Sequence, residues 1–362
     1  MTYPRFPNVK KIAVLRATAL GDLIFALPAL HALRAAYPQA EIVYLGRQWH
    51  TSFLPGRLDG PHRVIAIPPA RGEHIAQGLV IDPAEEPAVL PALQAEGFDL
   101  AVQMHGAGEY SNPFVLALGA RHTAGLKSQR AVPLERWLPY VYYQNEVARM
   151  LEVAALAGAP WLTAGLQPHL PVLESDLTAA APVLDRLRPP FAVIHPGSTD
   201  PRRCWSAQKF AAVADACADQ GFQVVITGTS MEAGRIRELE QAMRAPAVNL
   251  CDQLTLPGLV GLLSQASLFV GNDSGPLHIA LALGARAVGL FWVEYILNSM
   301  PLTRERFYPL IAWNRTCPKC GTYCEKPEID APVGPCTHEV SFMEEIALEP
   351  VVQGIDVVLQ SM

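Results

Sequence analysis

No stretch of eighteen or more residues in this 362-residue chain is uninterruptedly apolar, so a membrane-spanning helix is not expected. The N-terminus also lacks the build of a secretory leader. Its first apolar run, Ile12 to Leu15, is broken at once by Arg16, Gly21 and Asp22. The cytoplasm is the expected compartment. Charge is scarce, at 17% of residues, and the basic part is not concentrated. Lys and Arg against Asp and Glu number 14 to 13 over residues 1–170 and 14 to 21 over residues 171–362. That distribution excludes the clustered positive excess of a nucleic-acid footprint. An anion would have to be held by local groups rather than by the overall field. No internal repeat shorter than a domain is evident. What is abundant is apolar side chain, half of the total. With this length it implies two domains with large buried sheets.

The most informative stretch is Leu268-Phe269-Val270-Gly271-Asn272-Asp273-Ser274-Gly275-Pro276-Leu277-His278. An apolar run ends in a polar turn, and a helical pattern opens at Pro276. Pro suits a first helical turn because its missing N–H would be unpaired there. The free N–H groups of that turn and the positive end of the helix dipole suit an anion such as phosphate. Gly275 would allow close approach and Ser274 adds a hydroxyl. The simpler alternative is that Asp273 or Ser274 only caps the helix.

Along the chain, strands are expected at 11–16, 41–46, 63–67, 99–104 and 122–126. Helices are expected from Leu23, with Ile24, Leu27, Leu30 and Leu33 on one face, and over 85–97, 112–118 and 145–157. Pro160 to Pro171 reads as a linker. The pattern then restarts, with strands at 191–195, 223–227, 268–272 and 287–291 and helices at 206–220, 232–243 and 256–265. Alternation of this kind implies parallel sheets covered on both faces, with ligands at the carboxyl ends of the strands. The expected division is a first domain over 1–165 and a second over 166–349. A terminal helix over 350–362 is expected to pack back on the first.

Two such domains would leave a cleft between facing strand ends, where small ligands usually bind. Asp22 and His105 are strand-end polar groups of the first half. Ser198, Thr199, Arg203, Glu232, Asp273 and Ser274 are those of the second.

Four of the seven cysteines cluster in the Pro-rich segment 317–338. Cys317, Cys320, Cys324 and Cys336 are spaced C-x2-C-x3-C-x11-C, with His338 two residues on. In a cytosolic chain this suggests a structural tetrahedral zinc, or iron, more than disulfides. Unliganded cysteines and disulfides are the alternatives. Cys204, Cys217 and Cys251 read as ordinary small core or cleft residues.

Taken together, the chain resembles glycosyltransferase family 9, the ADP-heptose:lipopolysaccharide heptosyltransferase family of GT-B fold. The resemblance rests on five blocks in order: Leu20-Gly21-Asp22 with Leu27-Pro28-Ala29-Leu30; Asp99 to Gly106 with Gly119-Ala120-Arg121 and Gly125-Leu126; His195-Pro196-Gly197-Ser198 with Arg203-Cys204-Trp205; Thr227-Gly228 with Glu232; and Gly271 to His278 with Ala282-Leu283-Gly284. It implies two Rossmann-like domains whose parallel sheets face across a cleft, the first for the acceptor and the second for the donor.

The resemblance also implies roles. Asp22 matches a general base, with helix capping as the simpler reading. Arg203 matches a cation for the donor diphosphate, often Lys in the family. Glu232 would bind the nucleoside at its ribose hydroxyls, with a charge near the start of a helix as the simpler reading. Ser198 and Thr199 would face the phosphates, Asp273 would hold sugar hydroxyls, and Ser274 and Gly275 would sit at the diphosphate. His278 matches the last motif position, with a satisfied core histidine as alternative. His105 is a candidate on the acceptor side. The implied reaction is an inverting displacement from an ADP-sugar without a catalytic metal or cofactor. Its acceptor would be a glycan or glycolipid, such as the lipopolysaccharide core, at the inner membrane surface. One region departs from the family's pattern: Trp292-Val293-Glu294-Tyr295-Ile296-Leu297-Asn298-Ser299 replaces a Gly-containing turn with a Thr. That leaves open another nucleotide sugar or a protein acceptor. An epimerase or hydrolase of the same fold and a non-catalytic nucleotide-sugar-binding protein are the other classes.

Overall fold

The computed structural model describes residues 3–60, 62–68, 85–160, 165–324 and 336–360. Parts of two expected features, the linker (161–164) and the Cys-rich segment (325–335), lie outside the described residues, as do the last two residues of the terminal helix. The chain divides into two compact units between Pro168 and His169.

The first unit runs β1 (Lys11–Leu15), α1 (Leu20–Ala36), β2 (Glu41–Gly46), α2 (Gln48–Phe53), β3 (His62–Ala66), α3 (Glu85–Ala95), β4 (Leu100–Gln103), α4 (Ser111–Ala117), β5 (His122–Lys127), β6 (Arg136–Pro139) and α5 (Glu146–Leu156). Its six strands are all parallel, in the order β3-β2-β1-β4-β5-β6. Ala13, Leu15, Val43, Leu45 and Ala101 from the central strands meet Phe98, Phe114 and Val115 in one core. The inner strands are apolar on consecutive positions because both faces are covered.

The second unit runs α6 (Glu174–Leu184), β7 (Phe191–His195), α7 (Ala207–Asp219), β8 (Gln223–Ile226), α8 (Ala233–Ala242), β9 (Ala247–Asn249), α9 (Leu256–Gln265), β10 (Leu268–Asn272), α10 (Gly275–Ala282), β11 (Ala287–Trp292), α11 (Val293–Ser299), β12 (Phe307–Ala312) and α12 (Leu348–Gln360). Its sheet is also all parallel, ordered β12-β11-β10-β7-β8-β9. In both units a six-stranded parallel sheet is wound outward in two directions from a central pair, so the molecule repeats one architecture twice.

Three expectations are corrected. Helix α1 begins at Leu20 rather than Leu23, which puts Asp22 inside the first turn and makes Ala19 the N-cap. Strands β6, β9 and β12, at sheet edges, were not anticipated. The C-terminal helix belongs to the second unit. It packs on β11, β12 and α7 of the second. Val351, Ile355 and Val358 form an apolar stripe at helical spacing that joins the core of Trp205, Phe210, Trp292 and Phe342.

Candidate active site

In a doubly wound sheet the chain leaves the two central strands in opposite directions, opening a crevice at their carboxyl ends. In the first unit those strands are β1 and β4. Asp22 follows β1 and His105 follows β4. Asp22 Oδ2 accepts from the backbone N–H of Ala19 at 3.3 Å, so it does cap α1. Its Oδ1 is 3.4 Å from Arg16 Nη2, and the carboxylate keeps about a third of its surface exposed, at 36%. Arg16, last before the loop, is buried. It donates Nε to Asp22 O at 2.8 Å and Nη1 to Met104 O at 2.5 Å, tying the β1, α1 and β4 ends together. Its Nη2 also lies 3.6 Å from Glu146. His105 Nδ1 accepts from Ala17 N at 3.1 Å, so the neutral ring carries its proton on Nε2. Burial, with Arg16 and Arg47 nearby, pushes this imidazole down to about 3. It is a neutral brace for the Asp22 loop.

In the second unit the central strands are β10 and β7. The loop after β7 carries Ser198, Thr199 and Arg203, and the turn after β10 carries Asp273, Ser274 and Gly275. The structure brings these together. Ser198 Oγ is 3.5 Å from Asp273 O. Arg203 Nη2 donates to Thr199 Oγ1 at 3.0 Å, and Nη1 lies 3.5 Å from Asp273 Oδ2. Burial alone would lower the Arg203 guanidinium, but Asp273 beside it holds it above its ordinary value. Two polar atoms of this cluster are buried without a protein partner, Arg203 Nε and Ser274 Oγ. Ser274 is the N-cap of α10 and Gly275 its first residue, so both sit at the positive end of that helix.

Asp273 lies at the inner side of this cluster. At 1% exposure it is inside the protein. Its Oδ1 accepts from His278 Nε2 at 2.9 Å, and its Oδ2 is 2.8 Å from Ser299 Oγ. Burial alone would raise this carboxyl, but His278 and Arg203 hold it below the usual range. Each of its oxygens has a protein donor within hydrogen-bond distance. His278 is a buried partner of Asp273.

Glu232 lies at the β8 end. Its Oε2 accepts from Thr229 N at 2.7 Å and is 3.1 Å from Thr229 Oγ1, while Oε1 is 3.6 Å from His195 Nε2. Burial lowers His195 despite the neighbouring carboxylate. Asn272, not singled out from the sequence, accepts from Trp205 N at 3.1 Å and donates to Pro196 O at 2.8 Å. It clamps the β7 loop to the β10 end. Its burial at the close of an apolar run was the available signal.

In the cysteine segment four side chains converge. The atoms of Cys317, Cys320, Cys336 and His338 lie within 4.8 Å of one another. Tetrahedral ligands about 2.3 Å from a zinc ion stand roughly 3.7 Å apart, so the group fits a metal. Cys324, the expected fourth thiol, is outside it. Its buried thiol stands beside the group, with Cys336 as a hydrogen-bonding neighbour, and its N donates to Arg315 O at 2.7 Å next to a bridge between Thr316 and Tyr323.

Two doubly wound parallel sheets with polar groups at both switch points define a GT-B type glycosyltransferase fold. The chain belongs to glycosyltransferase family 9 (heptosyltransferase), whose model matches residues 88–309. Lipopolysaccharide heptosyltransferase 3 of Escherichia coli is 36% identical over 104 residues, 28% of this chain and 31% of that protein. This match thus spans about a third of that relative's length. The lipopolysaccharide core heptosyltransferase OpsX of Haemophilus influenzae is 22% identical over 356 residues, 95% of each chain. The solved ADP-heptose lipopolysaccharide heptosyltransferase II of Escherichia coli superposes with a TM-score of 0.73 at 20% identity, covering 96% of this chain and 98% of that one.

Proposed function

We propose that this chain is an inverting glycosyltransferase that moves a heptose, or a related sugar, from an ADP-sugar to a hydroxyl of a cell-envelope glycan such as the lipopolysaccharide core. The observation that carries the reading is the pair of buried polar atoms without protein partners, Arg203 Nε and Ser274 Oγ, at the N-terminus of α10. A cation, a hydroxyl and a helix N-terminus at one switch point suit a diphosphate. The names of the relatives, all lipopolysaccharide heptosyltransferases, support the sugar and the acceptor class.

The acceptor oxygen attacks the anomeric carbon, and the bond from that carbon to the diphosphate oxygen breaks. Asp22 takes the acceptor proton, and the electron pair leaves with the nucleoside diphosphate. Arg203 and the α10 N-terminus stabilise the charge that develops there. Ser198 and Thr199 line the phosphates, and Glu232 meets the nucleoside. With these groups carrying the charge, the reaction needs no catalytic metal. Among the described residues no helix is long and apolar enough to cross a membrane. We place the enzyme in the cytoplasm, reaching a glycolipid acceptor at the inner membrane surface.

The Cys317, Cys320, Cys336 and His338 group would hold a structural zinc or iron. The ion would tie together a Pro-rich segment of little sequence periodicity, and no step of the transfer involves it.

Calorimetric titration of ADP, UDP, GDP and ADP-heptose into wild type and Arg203→Ala tests the donor. Selective binding of ADP and ADP-heptose, lost in the variant, is expected. Preference for UDP or GDP would keep the fold and reassign the sugar nucleotide, with α11 as the cause. No nucleotide binding at all would sink the transferase reading.

A further inference from the structure

Strand β11 ends at Trp292 and the chain turns directly into α11. This is the segment where the sequence departs from the family pattern, and two of its side chains meet the donor cluster. The Tyr295 ring centroid lies 4.7 Å from the Arg203 guanidinium carbon. Ser299 Oγ is 2.8 Å from Asp273 Oδ2 and 3.0 Å from the Tyr295 carbonyl. The hydroxyl has one proton, and the ionised carboxylate is the stronger acceptor. The same carboxylate oxygen lies 3.5 Å from Arg203 Nη1. The guanidinium is thus bounded by an aromatic face from α11, by a carboxylate that α11 helps to hold, and by Thr199 Oγ1. Its Nε is left without a protein partner.

Helix α11 is itself fastened from its other side. Glu294 is fully buried, with Oε1 2.6 Å from Arg315 Nε, and Trp292 Nε1 donates to Asn314 O at 2.7 Å. A seven-residue helix this short is stable only through such packing.

We infer that Tyr295 and Ser299 are positioning residues that hold Arg203 in place for the donor's diphosphate, Tyr295 through its ring face and Ser299 through Asp273. The inference rests on the reading of Arg203 as the diphosphate's cation. Both act through protein groups, Tyr295 on Arg203 and Ser299 on Asp273. Each limits where the guanidinium stands before ligand arrives, so less order has to be imposed on binding.

The test is calorimetry on the full chain with the nucleoside diphosphate, among ADP, GDP, UDP and CDP, that wild type binds most tightly. The matching nucleoside is titrated in parallel. The proteins are wild type, Ser299→Ala, Ser299→Thr, Tyr295→Ala, Tyr295→Phe and Arg203→Ala. Loss of one charge-assisted contact predicts about tenfold weaker diphosphate binding in Ser299→Ala and Tyr295→Ala. Nucleoside binding should be unchanged, and Ser299→Thr and Tyr295→Phe should stay within about twofold of wild type because hydroxyl and ring are kept. Diphosphate binding at the wild-type level in both alanine variants, with Arg203→Ala impaired, overturns the inference and leaves the donor-site reading standing. Equal loss of nucleoside and diphosphate means local collapse and also overturns it. Undiminished binding in Arg203→Ala, or no diphosphate binding by wild type, overturns the donor-site reading and the inference with it.

Discussion

Gly197 and Glu232 compete for the same space. A Cβ built on Gly197 would collide with the Glu232 carboxylate. The glycine at the β7 end is therefore what lets Glu232 reach between His195 and Thr229. Gly197→Ala should displace the carboxylate and weaken nucleoside diphosphate binding by about tenfold, as Glu232→Ala should, given what one hydrogen bond from a charged group contributes. The double variant should be no worse than either single one, because both remove the same contact. Additive losses in calorimetry would show that Gly197 acts through something other than Glu232.

Asp22 caps α1 and also keeps an exposed carboxylate edge. The two roles separate in Asp22→Asn, which can still accept from Ala19 N. Turnover should fall by about 10²- to 10⁴-fold, the usual worth of a general base, with donor affinity unchanged. Turnover within a factor of a few of wild type, measured at saturating donor, would leave Asp22 as a cap only.

His50 is fully buried, its Nδ1 accepts from Arg47 N at 2.9 Å, and burial pushes its pKa down to about 4. The folded protein thus resists protonation that the unfolded chain accepts near pH 6.5. Its contribution to stability is complete above that pH and is lost as pH falls toward 4. Between pH 7 and pH 5 the loss from this one group is about 2 kcal/mol. His50→Asn keeps an acceptor without the titration. Urea midpoints at the two pH values should therefore differ less in the variant than in wild type. Equal acid sensitivity would contradict the burial argument.

The fourth metal ligand can be tested by metal content. Wild type and Cys324→Ala, purified without added metal, should each carry about one zinc or iron per chain by the one-ion geometry of a four-ligand site. Cys317→Ser and His338→Ala should lose it and melt at lower temperature, since binding energy at such sites is folding energy. Retention in His338→Ala with loss in Cys324→Ala would restore the all-cysteine set.

The parts of the fold legible in the sequence are those whose signal is local. The inner strands β1, β4, β7 and β10 are buried on both faces and read as apolar runs. The strands that escaped notice are edges. β6 alternates partly buried and exposed positions and ends in proline, β9 has three half-buried residues, and β12 is buried only at its ends. β6 and β9 are too short to give an apolar run, and β12, apolar over six residues, carries Pro309 at its centre, which reads against a strand. Helix α11 was missed for a related reason. Trp292-Val293-Glu294-Tyr295-Ile296 carries β-branched and aromatic residues, which favour a strand, and the burial of Glu294 against Arg315 is what secures a helix after Trp292.

The sequence by itself determined the alternation of strands and helices, the division into two sheets and the placing of polar residues at strand ends. Each is a matter of periodicity and turn chemistry over a few residues. Tertiary structure alone decided which of those residues meet. Asp273 meets Ser299, 26 positions away, and stands beside Arg203. His338 joins Cys317, Cys320 and Cys336 in one close group, although the spacing alone pointed to four thiols. The apolar stripe of α12 was visible, but not the sheet it would cover. An apolar face records that it must be buried, and a buried charge that it must be paired. Neither records with what, because the partner is supplied by chain folded from elsewhere.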